Sequence, residues 1–131
     1  MPTIIDVHSH VWKFPDHFTD DFRAQASERA KADEELDLTS THEGYEATVP
    51  DGEDYIRIVF GGKGRLSGIW VDDNHVADFV RQHPTKAIGF LAVDPTQPNW
   101  QEELEYGHQE LGMCGIKLMP MYAGFMPQVT L

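Results

Sequence analysis

The chain has 131 residues and a formal net charge of −12 at pH 7. This acidity argues against a nucleic acid or an anionic membrane surface as partner, because both attract basic surfaces. Hydrophobic residues make up 40% of the chain and charged residues 24%, a balance that excludes wholesale disorder and is typical of a globular domain. We therefore expect a single folded domain over residues 1–131.

The first residues and the single cysteine bear on the compartment in which the protein works. The apolar run that begins at Thr3 is too short for the core of a signal peptide and lacks a positive flank, and no stretch approaches the length of a membrane span. Cys114 has no partner for an internal disulfide and lies in an apolar run, so we expect it to be a small buried core residue. These features predict a cytoplasmic protein.

Four short apolar runs along the chain predict β-strands. They lie near residues 3–7, 55–60, 87–93 and 114–118, bounded by Gly, Pro or Asp. Their apolarity is continuous rather than alternating, which is typical of strands in a parallel sheet that is covered on both faces.

A long segment, residues 14–54, separates the first two runs and is interpreted as an insertion. Residues 15–32 are predicted to be helical, because Phe14, Phe18 and Phe22 follow one another at steps of four. The acidic stretch after them is weakly patterned, and residues 49–52 (VPDG) predict a turn before the second strand.

An amphipathic helix is predicted in each of the two later connections. The first would be capped by Asp73 or Asn74 and stopped by Pro84, and its apolar face would be formed by Val76, Phe79, Val80 and His83. The second covers about residues 100–111 and ends at Gly112. The last three strands are thus about 30 residues apart, the size of a β-α-β unit. The expected fold class is α/β with parallel β/α units.

The chemistry of the sequence is concentrated in His8 and His10, at the end of the first predicted strand. Residues two apart on a strand point to the same side, so the two imidazoles would project together, with Asp6 on the same parity. Neutral imidazole is the commonest biological metal ligand, and active sites of β/α barrels lie at the carboxyl ends of the strands. We therefore predict that His8 and His10 bind one divalent metal; the alternative is two unrelated surface histidines.

Three segments resemble strand motifs of one enzyme superfamily. Residues 5–10 (IDVHSH) are similar to the first-strand signature of the amidohydrolase superfamily. Residues 88–95 (IGFLAVDP) and 115–125 (GIKLMPMYAGF) resemble the third-strand and fourth-strand motifs of the branch that includes the aminocarboxymuconate-semialdehyde and resorcylate decarboxylases. Residues 74–84, which end in Arg-Gln-His-Pro before a strand, also fit that branch.

The resemblance implies about half of a (β/α)₈ TIM barrel that binds one divalent metal, most often zinc. It further implies hydrolysis, decarboxylation or hydration of a small molecule that bears a carbonyl or carboxylate group. The remaining family ligands, a histidine of the fifth strand and an aspartate of the eighth, have no positions in this sequence. We therefore expect an N-terminal half that is inactive alone and lacks a C-terminal half. Alternatives are a homo-oligomer of self-associating half-barrels and a noncatalytic remnant.

Other side chains are weaker candidates. Trp12 and Phe14 follow the histidine pair and would either line a substrate pocket or anchor the insertion. Lys117 is a further candidate for the pocket; since the branch uses one metal and no bridging lysine, we expect an ordinary lysine whose stem packs. Met119 stands where related sequences often carry a histidine. His75, His83 and His108 are expected to have helix-surface or packing roles.

Overall fold

The computed structural model describes residues 3–127. In chain order the elements of the described part are β1 (Thr3–His10), α1 (Asp20–Ala30), α2 (His42–Glu46), β2 (Asp54–Phe60), β3 (Lys63–Gly64), β4 (Ile69–Trp70), α3 (Asp73–Gln82), β5 (Ala87–Val93), α4 (Trp100–Gln109), β6 (Gly115–Leu118) and α5 (Pro120–Ala123). A turn of 3₁₀ helix at Arg65–Ser67 joins β3 to β4.

Four strands form a parallel sheet in the order β1-β2-β5-β6, and this sheet curls into a half-barrel. Each strand coincides with one of the predicted apolar runs, so the α/β class and the parallel arrangement are confirmed. The first strand continues three residues beyond its predicted end and includes His10. The strands β1 and β6 are the two edges of the sheet.

The core lies between the sheet and the helices α3 and α4. Val59, Leu91 and Val93 of the sheet are buried against this helical layer, together with Val76 and Ala77 of α3. The opposite face of the sheet, which we call the inner face, carries Ile5, Val7 and Ile88, and these are 63%, 67% and 39% exposed. Both faces were expected to be covered; within residues 3–127 only the helical side is.

The two predicted crossover helices are present, with shifted ends. Asp72 rather than Asp73 or Asn74 caps α3, because its side chain accepts a hydrogen bond from the backbone N–H of Asn74 at 2.8 Å. α4 ends two residues before its predicted limit, ahead of Gly112, whose φ is +68°. None of the helices in residues 3–127 is long and apolar enough to cross a membrane.

The insertion is less helical than predicted. Its helix α1 begins only at Asp20, where the Thr19 hydroxyl accepts a hydrogen bond from the backbone N–H of Phe22. Phe18 is not helical: it is buried and forms an isolated antiparallel bridge with Ile69. The short helix α2 and the β3–β4 hairpin were not predicted. Cys114 is exposed rather than buried; it lies in the irregular segment directly before the edge strand β6.

One buried ion-pair cluster joins four of these elements. The Lys63 ammonium, 4% exposed, lies 2.8 Å from a carboxylate oxygen of Asp73 in α3 and 2.8 Å from one of Glu103 in α4. The Asp73 carboxylate also accepts a hydrogen bond from the backbone N–H of Ala92 in β5, at 2.9 Å. The cluster therefore fixes the hairpin, both helices and the end of β5 relative to one another.

Replacing Lys63 by Met should destabilise the protein strongly, because two carboxylates would lose their buried cation. We expect the free energy of unfolding, measured by urea denaturation followed by circular dichroism, to fall by about 3 to 5 kcal/mol. The matched control is Lys86→Met, which removes the more exposed ion pair with Asp54 and should cost much less, because exposed ion pairs add little to stability. Equal losses in the two variants would contradict this assignment.

Candidate metal centre

A β-bulge in β1 determines which side chains reach the inner face. Asp6 pairs with Arg57 of β2 and Ser9 pairs with Val59, so two residues of β1 lie opposite one residue of β2. As a result Asp6 and Ser9 share the outer face, where Ser9 contacts Arg57, although they are three residues apart. The prediction that Asp6 shares the side of the histidines was therefore wrong, since the bulge reverses the alternation.

His8 and His10 lie beyond the bulge and their rings meet. The two Nε2 atoms are 3.3 Å apart, and the ring planes are inclined at 69° with their centroids 5.1 Å apart. Both rings also contact the ring of Phe60, with centroid distances of 5.1 Å for His8 and 4.9 Å for His10. The predicted side-by-side placement of the two imidazoles is thus present, at the carboxyl end of β1.

Hydrogen bonds to one carbonyl fix the orientation and the tautomer of His10. Its Nδ1 lies 3.2 Å from the carbonyl oxygen of Gly61, which is only able to accept a hydrogen bond. Nδ1 therefore carries the proton and Nε2 carries the lone pair that faces His8. The indole Nε1–H of Trp12 donates to the same carbonyl at 2.7 Å.

Close packing behind Gly61 holds this carbonyl in place. A Cβ atom on this glycine would lie 2.3 Å from Cβ of Val71, so no other residue fits without a shift of the chain. Gly61 directly follows β2, and both it and Val71 are buried. The absence of a side chain thus allows the backbone to lie where its carbonyl oxygen reaches the two rings.

The environment of His10 keeps its imidazole neutral. Its pKa is lowered from 6.5 to about 4, chiefly by burial and further by positive charge at His8 and Lys117. Metal binding requires the unprotonated ring, so this shift leaves the Nε2 lone pair available at neutral pH.

A cleft of about 290 Å³ opens beside the histidine pair. Trp12 forms one wall and stacks on His10 with a centroid distance of 4.0 Å. Lys117 of β6 lies across the cleft, with its ammonium 4.6 Å from the centroid of Phe60. None of the ion pairs in the described part of the chain involves Lys117. The remaining lining is mostly apolar and includes Phe22, Ile69, Met119 and Tyr122.

The other candidates of the sequence lie elsewhere. Phe14 is not among the residues that line the cleft; it packs near Phe18, at 6.4 Å, and lies under the Arg23 guanidinium at 5.5 Å. His75 has a packing role, since its Nε2 lies 2.8 Å from the carbonyl oxygen of Val11. His83 stacks on His42 at 3.7 Å.

The ligand set is incomplete within the described residues. Residues 3–127 contain no group of three or more His, Cys, Asp or Glu side chains that could hold a metal ion. His8 and His10 provide two nitrogens, whereas a catalytic zinc commonly has three protein ligands and a water. Sequence reasoning also missed Gly61, Phe60 and Arg57, which hold the pair in place; the local signals were the Gly-Gly step after β2 and the charged residue inside that apolar strand.

Comparison with known proteins adds no assignment, because no protein-family model and no curated protein matches this sequence significantly. The geometry of the centre therefore carries the functional argument, together with the resemblance of the three strand motifs.

In the metal-free protein, the His10 ring should titrate near pH 4 in an NMR titration of its ring protons. The His8→Asn variant removes one secondary cause of the shift, so the pKa should rise in that variant but stay below 6.5. Because the folded pKa is lower than the unfolded one, the unfolded chain binds the proton first as the pH falls from 6.5 to 4. Stability should therefore decrease over this interval. A His10 pKa of 6.5 in the native protein would show that the ring is not buried.

Proposed function

We propose that this chain supplies two ligands of the metal centre of a metal-dependent hydrolase or decarboxylase. Its substrate would be a small molecule with a carbonyl or carboxylate group, and its metal a divalent ion, most simply zinc. The proposal rests on one observation above all: two imidazole Nε2 atoms lie 3.3 Å apart at the carboxyl end of the first strand of a parallel half-barrel.

This separation suits a shared ion. Two nitrogens that bind a tetrahedral zinc at about 2.0 to 2.1 Å lie roughly 3.3 to 3.4 Å from each other. In the metal-free protein a hydrogen bond from His8 Nε2–H to the lone pair of His10 Nε2 has a similar length, and a metal ion would take the place of that proton. The carbonyl contact is the kind of outer-shell partner that orients histidine ligands in metal sites.

The surrounding side chains suit the substrate class. A bound divalent ion would polarise a substrate oxygen or activate a water molecule. Lys117 offers a half-buried cation without an ion-pair partner in residues 3–127, and this cation would attract a carboxylate. Trp12 and the apolar lining of the cleft would pack against the rest of the substrate and exclude water.

The proposed activity belongs to a larger assembly than residues 3–127. A third protein ligand would come from further residues of a longer chain or from another chain, because the described residues provide two. The half-barrel also leaves the free side of each edge strand unpaired in the described part and exposes apolar side chains on its inner face.

This exposure favours a second candidate, a self-associating half-barrel. A two-fold axis along the barrel would pair β1 of one copy with β6 of the other in parallel and would cover both inner faces. Sedimentation should then give a dimer at micromolar concentration. A monomer under those conditions would leave only the longer-chain explanation for the exposed face.

The metal-binding proposal predicts that the purified protein binds one zinc ion per chain in isothermal titration calorimetry. The His8→Asn/His10→Asn variant removes both ligands. Its affinity should fall beyond the roughly tenfold to hundredfold loss that follows removal of an outer-shell partner.

The matched control is His17→Asn/His108→Asn, which removes the same number of imidazoles from outside the centre and should bind as the wild type does. Zinc binding that is lost equally in both double variants, or that is absent from the wild type, would rule out the proposed centre.

A further inference from the structure

The Arg57 side chain lies directly behind the histidine pair, on the outer face of the sheet. It projects from the middle of β2 and is 2% exposed. Its guanidinium forms no ion pair with a carboxylate of residues 3–127, and its Nη1 has no hydrogen-bond partner there. Burying a cation without a paired anion is unfavourable, so a residue of this kind calls for a specific role.

The contacts of Arg57 converge on the segment that carries the ligands. Nε and Nη2 both donate hydrogen bonds to the hydroxyl oxygen of Ser9, at 2.9 and 2.6 Å, and Nη2 lies 3.4 Å from the carbonyl oxygen of His10. Ser9 is the residue between the two histidines. The guanidinium therefore holds the backbone of the histidine pair from the side opposite to the rings.

Aromatic side chains hold the guanidinium in turn. Its central carbon lies 3.9 Å from the ring centroid of Tyr45, in the insertion, and 5.3 Å from that of Phe79 in α3. Such cation–π contacts are attractive and directional. They fix the position from which Arg57 reaches Ser9.

The bulge explains why the ligand segment needs such a restraint. A strand that moves by one residue turns every side chain to the other face. If β1 relaxed to regular pairing after Asp6, His8 and His10 would both turn to the outer face, away from the Phe60 ring and the Gly61 carbonyl. The hydrogen bonds from Arg57 to Ser9 fasten the residue at which the shifted register begins.

We propose that Arg57 is a positioning residue of the metal centre, which acts through Ser9 to hold the register that turns His8 and His10 toward the inner face of the half-barrel. This inference rests on the proposed metal-binding function. It assigns Arg57 no contact with metal or substrate.

The test compares zinc affinity in the full chain for wild type, Arg57→Met and Ser9→Ala, at a temperature where circular dichroism shows each variant folded. Both variants should bind zinc about tenfold to a hundredfold more weakly, as expected for loss of an outer-shell partner. The Arg57→Met/Ser9→Ala double variant should be no weaker than the weaker single variant, because both changes remove the same interaction. Arg57→Lys replaces the guanidinium by a single ammonium group that can still donate to Ser9, so its zinc affinity should lie between those of Arg57→Met and the wild type.

The matched control is Arg65→Met. Arg65 lies over the ring of Trp70 at 3.8 Å, so this change removes a stacked guanidinium away from β1 and should leave zinc affinity unchanged. A second readout is the contact of the two histidine rings with the Phe60 ring in the metal-free protein, at centroid distances of 5.1 and 4.9 Å. The nuclear Overhauser contacts between the His8 and His10 ring protons and those of Phe60 should be weakened in Arg57→Met and retained in Arg65→Met.

The outcomes separate the two proposals. A wild type that binds no zinc overturns the metal centre and this inference with it. A wild type that binds zinc while folded Arg57→Met and Ser9→Ala bind it equally well, with the ring contact intact, overturns the role of Arg57 alone. If Arg57→Met does not fold, the same comparison is made with Ser9→Ala and Arg57→Lys. Wild-type zinc affinity in both of these variants would then overturn the role of Arg57.

Discussion

The register of β1 against β2 is the constraint on which the candidate centre depends. One extra residue between Asp6 and Ser9 reverses the alternation of inward-facing and outward-facing side chains along β1. His8 and His10 therefore both face the inner side of the sheet. Without it, the strand would continue the alternation begun at Ile4 and Ile5. Bulges often occur beside active sites for this reason, because they redirect a side chain without disturbing the rest of the sheet.

Both groups that hold the histidine pair come from the chain of β2 or from the residue after it. The Arg57 side chain acts on the outer face of β1, and the Gly61 carbonyl acts on the His10 and Trp12 rings. β2 is flanked on both sides by other strands, which makes it the more rigid partner. The side chains of a centre on an edge strand are thus held in position by contacts from the neighbouring strand. Such contacts are needed because ligand side chains must be fixed in one rotamer.

The sequence predicted the parts of the fold that depend on continuous patterns. The four strands are uninterrupted apolar runs, and α3 and α4 are amphipathic over ten residues each, so local composition was sufficient. The hairpin strands have two residues each and α2 has five, too short for any periodicity to be recognised. The three phenylalanines at steps of four suggested one long helix, but Phe18 instead packs against the hairpin, a contact between distant segments.

The candidate centre was only partly predictable for a related reason. The spacing of His8 and His10 placed their rings on one side, because that depends on neighbouring residues alone. The side on which Asp6 lies depends on the register against β2, which no local pattern records. Arg57 stands between Ile56 and Ile58, and a charged residue inside an apolar strand indicates a specific role. The sequence does not indicate its partner, because Ser9 is 48 residues away.

The stacking of Trp12 on His10 has a consequence for how the protein is studied. An excited indole readily transfers charge to a protonated imidazole in contact with it, and much less readily to a neutral ring. The fluorescence of Trp12 should therefore respond to the occupancy of the neighbouring nitrogen, whether by a proton or by an ion. With Trp70 and Trp100 replaced by phenylalanine, the protein would carry its own optical reporter within 4.0 Å of a candidate ligand.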